Sequence, residues 1–271
     1  MKFETIHNVS VPKIGFGCWT IGGEGSARHN EDAIHLAALR SALELGYTHF
    51  DTAEYYAAGH SEELVGRAVR EAGVAREAVF ITSKVSPDHL KYEDVLRCCE
   101  NSRRRLQMDY IDLYLIHWPA PRMDLAETFR ALNQLVREGR VRHLGVSNFN
   151  LKLLKQAQAA SGTPLLANQV PYSLPDRRYV ENGVLEYCQA NDILLTAYSP
   201  VKSRFFKGKK LAEFARAKGA TTFQVGLAWL ARQPRVITIP VSHNPQHQAE
   251  NLAAVDLPLS DEEMAWLNGL A

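Results

Sequence analysis

Little in this chain could staple, anchor or charge it into a special class. It has four cysteines, Cys18, Cys98, Cys99 and Cys188, and no two form a Cys-x-x-Cys pair or a Cys/His spacing suited to zinc. Cys98 and Cys99 are neighbours in a helical stretch, so all four read as reduced structural thiols of a reducing compartment. The formal net charge of +1 removes the electrostatic case for nucleic acid or an anionic membrane as the main partner. No apolar run approaches the roughly 20 residues that span a bilayer. The opening Met-Lys-Phe-Glu-Thr-Ile-His-Asn lacks the apolar stretch of a secretory signal, so cytoplasm is expected. No Gly-x-Gly-x-x-Gly opens a helix after a strand, which counts against a Rossmann site. His29, His35, His49, His60, His89 and His143 show no metal-ligand spacing; they read as surface or packing residues, and no metal is expected.

What is present is an alternation of short β-rich runs and helical stretches from end to end. Strands are expected near 14–17, 48–51, 79–84, 111–117, 142–146, 166–170, 193–198 and 236–240, each followed by a helix. In the first helix Ile34, Ala37, Ala38, Ser41, Ala42 and Leu45 fall at i, i+3, i+4 spacing, and Gly46 follows as a stop. Two helical stretches, near 208–218 and 221–233, precede the last strand. Periodicity alone does not separate a closed barrel from an open doubly wound sheet. The number of units and the scatter of chemical residues over many strand ends favour a (β/α)8 TIM barrel of the α/β class. Such barrels run to about 250 residues as one domain, so residues 1–271 are expected to form a single domain.

Asp51, Lys84 and His117 each end a strand-like run, and Tyr56 lies just past Asp51. In a parallel barrel the strand ends converge on one face, where active sites sit. A phenol, an amine, a carboxylate and an imidazole gathered there can deliver a proton. The phenol of Tyr56 has an unperturbed pKa near 10, too high for easy release. A cation ~4 Å away at an effective dielectric of ~20 would favour the phenolate by about 4 kcal/mol, or about 3 pKa units. Lys84 is the expected cation, with Asp51 holding it in place and His117 donating to a carbonyl oxygen. Asp112, on the same run as His117 but nearer its start, reads as structural.

Flanking residues add a family resemblance. Asp51-Thr52-Ala53-Glu54-Tyr55-Tyr56 with Gly59-His60-Ser61-Glu62-Glu63-Leu64-Val65-Gly66 resembles an aldo-keto reductase motif. Met108-Asp109-Tyr110-Ile111-Asp112-Leu113-Tyr114, His117-Trp118-Pro119, Gly145-Val146-Ser147-Asn148-Phe149 and Ile239-Pro240 with Glu250-Asn251 resemble further blocks, colinear from about Ile14 to Asn268. The resemblance implies a monomeric barrel, with residues 1–12 as a hairpin closing its bottom and an extra helix before the seventh barrel helix. It would reduce aldehydes or ketones to alcohols with NADH or NADPH, with Tyr56 as the general acid. It implies that Ser147, Asn148 and Gln169 hold the nicotinamide carboxamide and that Tyr198 stacks on the ring. Ser199, Lys202 and Arg204 would lie in the loop near the pyrophosphate, and Ser242, His247, Glu250 and Asn251 near the adenosine. Trp19, Tyr55 and Trp118 would wall the substrate pocket. An end at Ala271 leaves out the long C-terminal loop of many animal members, which implies an open pocket.

Two departures stand out. Ala57 occupies a position where glycine often follows the catalytic tyrosine, a mild change unless that position needs positive φ. NADPH-preferring members usually carry a lysine after the Ile-Pro pair and an arginine six residues later, where this chain has Val241 and His247 and keeps only Ser242. Comparable use of NADH is therefore expected. Two other functions fit the same fold: a cofactor-binding regulatory subunit, and an aldolase using Lys84 as a Schiff base.

Overall fold

A computed structural model describes residues 2–270; Met1 and Ala271, the two ends of the expected single domain, lie outside the described residues. Strand β1 (Phe3–Ile6) pairs antiparallel with β2 (Val9–Pro12). The turn residues His7 and Asn8 have φ of 47° and 64°, the left-handed pair that suits a right-twisted hairpin. Parallel strands follow: β3 (Phe16–Gly17), β4 (His49–Asp51), β5 (Phe80–Val85), β6 (Ile111–Ile116), β7 (Val141–Ser147), β8 (Ala167–Pro171), β9 (Leu194–Tyr198) and β10 (Val236–Thr238). They form one 8-stranded sheet in sequence order.

The two ends of that sheet meet. Ile14 bridges Thr238 in parallel, and the Gly15 and Gly17 amides donate to Thr238 O and Pro240 O at 2.8 and 3.1 Å. Closure removes the open edges that would otherwise template aggregation. Inside, Leu113, Leu115, Leu166, Leu194 and Ile237 pack with Ile6 and Val11 of the hairpin, which plugs the barrel bottom as expected.

The outer ring consists of α1 (Asp32–Glu44), α2 (His60–Glu71), α3 (Tyr92–Leu106), α4 (Leu125–Arg137), α5 (Leu151–Ala160), α6 (Arg178–Glu181) and α7 (Val184–Ala190). Next come α8 (Lys209–Ala217) and α9 (Thr222–Arg232), the pair expected before the last strand, then α10 (Pro245–Ala253) and α11 (Asp261–Leu270). Asp124 and Asn150 cap α4 and α5 by accepting from the Glu127 and Leu153 amides, and Thr221 with Gln224 forms a capping box on α9. All four cysteines are buried and free. Among the described residues no helix is long and apolar enough to cross a membrane.

The apolar stripe expected on α1 is rotated in the structure. Ile34 is 63% exposed and Leu45 is exposed, while His35, Leu36, Leu39 and Ala42 are buried. Two leucines bury more apolar area than the alanines of the expected stripe, and His35 turns inward to meet His243 (Nδ1 to Nε2, 3.3 Å). Asp112 is structural, as its position implied: its Oδ2 accepts from Arg76 at 2.5 Å and from the Ile81 amide at 2.9 Å.

Candidate active site

Asp51 ends β4, Lys84 lies near the end of β5, and His117 directly follows β6. Ser147 ends β7, Gln169 lies on β8, and Tyr198 ends β9. The C-terminal face of the barrel therefore carries side chains from successive strands, the arrangement in which one fold can assemble several functional groups.

Lys84 is fully buried, and its Nζ makes three donations: to Asp51 Oδ1 at 2.5 Å, to Thr52 O at 2.8 Å and to Tyr56 Oη at 3.0 Å. An ammonium has three hydrogens and no acceptor lone pair, so all of its capacity is used. Burial pulls the Lys84 pKa down, but the Asp51 carboxylate and Tyr56 outweigh it and hold the amine above the ordinary lysine range. Burial pushes Tyr56 up, and the Lys84 cation opposes that without overcoming it, so the net shift is upward. This corrects the expected net lowering of about 3 units, which took only the cation into account and left out desolvation. Tyr56 accepts from Lys84, so its own proton is free to point elsewhere.

The His117 ring stands 5.6 Å from the Tyr56 ring, centroid to centroid. Burial first, and the Lys84 cation second, push its pKa down to about 3. A neutral imidazole keeps one N–H for an oxygen acceptor. His49, buried one step down β4, is also neutral, pushed to about 4 by burial, and its Nε2 lies 3.0 Å from Thr82 Oγ1.

Tyr56 opens a tight turn, Tyr56–Gly59, in which Ala57 and Ala58 have φ of 49° and 55° and Gly59 has φ of 92°. The position after Tyr56 thus does need positive φ. Alanine there costs roughly 1–2 kcal/mol relative to a right-handed conformation, so the replacement of glycine is not mild. Local strain is held beside a candidate catalytic group.

Across the barrel mouth, Ser147 Oγ donates to Gln169 O at 2.8 Å, and Asn148 Nδ2 donates to His117 O at 3.1 Å and Ser147 Oγ at 2.9 Å. The Tyr198 hydroxyl donates to Asn148 Oδ1 at 2.9 Å, which fixes its half-buried ring at the edge of this shelf. Hydroxyl and amide groups beside an aromatic ring fit a nicotinamide carboxamide and its ring. Beyond Tyr198 opens a cleft of about 420 Å³ lined by Ser173, Arg178, Ser199 and Lys202 among others. Arg204 is exposed and does not line it. Sequence reasoning missed Arg178, whose guanidinium grips Asp176 at 2.9 and 2.8 Å; the signal was the Asp176-Arg177-Arg178 run just after β8.

Ser242, His247, Glu250 and Asn251 lie on the turn after β10 and on α10. Ser242 Oγ accepts from the Asn244 amide at 3.1 Å and helps shape that turn. His247 is exposed and Asn251 buried. Residues 241–251 contain no lysine or arginine. Trp19, Tyr55 and Trp118 are 43%, 56% and 46% exposed, so they are not core packing. Trp19 stacks on Tyr55 at 6.4 Å and meets Tyr56 edge-on at 5.0 Å, and Tyr55 meets His117 at 6.1 Å.

The comparisons with known proteins agree with this geometry. A family model described as Aldo/keto reductase family matches residues 13–271. Methylglyoxal reductase YeaE of Escherichia coli (strain K12) is 37% identical over 268 residues, covering 96% of this chain and 91% of that protein. The crystal structure of a thermostable aldo-keto reductase with the inhibitor epalrestat superposes with a TM-score of 0.96 at 43% identity, covering 100% of both chains. An aldo/keto reductase from Klebsiella pneumoniae in complex with NADP and acetate superposes with a TM-score of 0.90 at 38% identity, covering 99% of this chain and 95% of that one. The chain belongs to the aldo-keto reductase family. It is an oxidoreductase that reduces aldehydes or ketones to alcohols with NAD(P)H.

Proposed function

We propose that Tyr56 is the general acid of this carbonyl reductase, with Lys84 and Asp51 as its electrostatic support and His117 as the donor that orients the substrate oxygen. The observation that carries this reading is the Lys84 Nζ to Tyr56 Oη bond of 3.0 Å inside a fully buried ion pair. When bound at this face, a dihydronicotinamide would supply the hydride for the carbonyl carbon. The neutral His117 N–H faces the oxygen on which negative charge grows. Tyr56, held protonated at neutral pH, gives its proton to that oxygen, and the phenolate left behind lies beside the Lys84 ammonium. Ser147, Asn148 and Gln169 hold the carboxamide, with Tyr198 against the ring. Ser199, Lys202 and Arg204 serve the pyrophosphate side, and Ser242, His247, Glu250 and Asn251 the adenosine side.

Trp19, Tyr55 and Trp118 rim an open, apolar pocket suited to small or aryl carbonyl compounds. The name of the methylglyoxal reductase relative points to reactive 2-oxoaldehydes as the first substrates to try. The chain works as one domain, as a monomer in the cytoplasm. The aldolase alternative needs a neutral amine with a free lone pair, and Lys84 offers none. The regulatory-subunit alternative leaves an assembled acid, cation and imidazole without a purpose.

The test is Tyr56→Phe, which deletes the hydroxyl and keeps the ring. With methylglyoxal and NADPH, kcat should fall ~10²–10⁴-fold, the usual weight of general acid catalysis, while the cofactor Kd changes little. A variant that keeps more than about a tenth of wild-type kcat while chemistry is rate-limiting removes Tyr56 from that role.

A further inference from the structure

We propose that His29, Asp32 and His60 form a divalent-cation site of the zinc type on the outside of the barrel, separate from the reductase centre. Sequence spacing hides it, since Asp32 and His60 are 28 residues apart. Folding brings one ligand atom of each of the three within 4.8 Å of the others. His29 starts a short turn (His29–Glu31) just ahead of α1, Asp32 opens α1, and His60 opens α2.

The imidazole of His60 is already arranged as in a metal site. It is buried, its Nε2 lies 2.7 Å from Asp32 Oδ1, and its Nδ1 lies 2.8 Å from Glu63 Oε2. A metal-bound histidine almost always donates its second N–H to a carboxylate, a backbone carbonyl or water, which fixes the tautomer and aims the other nitrogen at the ion. Glu63 is that carboxylate, and the proton now shared between His60 Nε2 and Asp32 is the one a cation would displace. The His29 ring stands 4.2 Å from the His60 ring and supplies the third ligand.

Distances decide how much must move. Donor atoms on a tetrahedral zinc at its usual bond lengths are about 3.3 Å apart. The His60–Asp32 contact must therefore open by roughly half an ångström and His29 must draw in. His29 is exposed and Asp32 half-buried, so both have room. Asp32, His60 and Glu63 line a surface cleft of about 460 Å³, which gives the ion a path and leaves a fourth position to water. Arg67, Arg70, Arg104 and Arg105 line the same cleft; three of them are paired, Arg67 with Glu71, Arg104 with Glu100 and Arg105 with Glu62. Two imidazoles and one carboxylate suit zinc or cobalt(II) rather than magnesium or calcium, which take oxygen. An ion here would clamp the segment before α1 to the start of α2, which directly follows the strained turn carrying Tyr56.

Cobalt(II) titration of the untagged, metal-free full chain tests this through the visible bands of tetrahedral cobalt, with zinc competition followed by calorimetry. One equivalent should bind with those bands, zinc should displace it, and zinc should raise Tm. Glu63→Gln should weaken binding roughly 10–100-fold, the usual effect of losing such a partner. His29→Ala combined with Asp32→Asn should abolish both the bands and the rise in Tm. All these variants should keep metal-free reductase turnover, which certifies their fold independently of the site. A wild type without tetrahedral bands, or a double variant that binds cobalt as tightly as wild type, overturns the proposal.

Discussion

Gln169 donates its Nε2 to Asp51 Oδ2 at 2.7 Å, while Lys84 takes the other oxygen of the same carboxylate at 2.5 Å. One carboxylate thus ties the amide proposed to hold the cofactor to the amine proposed to support the acid. Gln169→Ala should weaken cofactor binding by about 1 kcal/mol, the net worth of an ordinary hydrogen bond, with a modest change in kcat. Gln169→Glu sets a second carboxylate against Asp51, which favours protonating one of the two. Its kcat should fall well below that of Gln169→Ala and its pH profile should shift. Fluorescence titration of NADPH and rapid-mixing kinetics separate the two effects; equal kcat values for the two variants would show that Asp51 does not couple them.

Lys84→Met leaves Asp51 buried without its cation, a change that typically costs about 3–5 kcal/mol. Activity should drop steeply, and the alkaline fall-off of what remains should move to higher pH because Tyr56 keeps its desolvation and loses its cation. Adding Asp51→Asn removes the stranded charge and should recover part of the stability but not the activity. Urea unfolding of the single and double variants checks this, and a double variant no more stable than Lys84→Met argues against the coupling.

Two buried histidines make the protein sensitive to acid. His49 and His117 have folded pKa values of about 4 and about 3, against 6.5 for a free imidazole. Below pH 6.5 the unfolded chain binds protons that the folded chain refuses, so this stability is full above 6.5 and drains as pH falls toward the folded values. Each contributes about 1.4 kcal/mol per pH unit in that window, or ~2 kcal/mol between pH 6.5 and 5. His49→Gln removes one of the two, so its stability should fall ~2 kcal/mol less over that interval in urea titrations. The kcat/KM profile should show no inflection from His117 between pH 5 and 8.

Cofactor choice follows from the turn after β10. Two missing cations at about 1.5–3 kcal/mol each could erase ~10²–10⁴-fold of NADPH preference. His243 is engaged with His35, and His247 is exposed. NADH should be used at least comparably with NADPH at pH 7.5. The ratio of kcat/KM values for the two cofactors decides it; an NADPH preference above about 100-fold would require a cation from outside residues 241–251.

The order of strands, the closing hairpin and the paired helices before β10 were legible because periodicity and motif order are local properties of the chain. The convergence of Asp51, Tyr56, Lys84 and His117 was legible because strand ends in a parallel barrel share a face. What escaped depends on the third dimension. The phase of α1 is set by His35 meeting a residue far along the chain, which no local apolar count records. The upward shift of Tyr56 depends on complete burial, and the charge pattern alone favours the opposite sign. Arg177 and Arg178 stood in plain view after β8, but only the loop path shows that both line the cleft.

The three donations of Lys84 also bear on the durability of the protein. Free amines condense with aldehydes, and a carbonyl reductase works in contact with them. Condensation needs an unprotonated nitrogen with an accessible lone pair. Lys84 is an ammonium buried beside Tyr56 with every hydrogen committed, so the lysine proposed to support the acid is shielded from covalent damage by aldehydes.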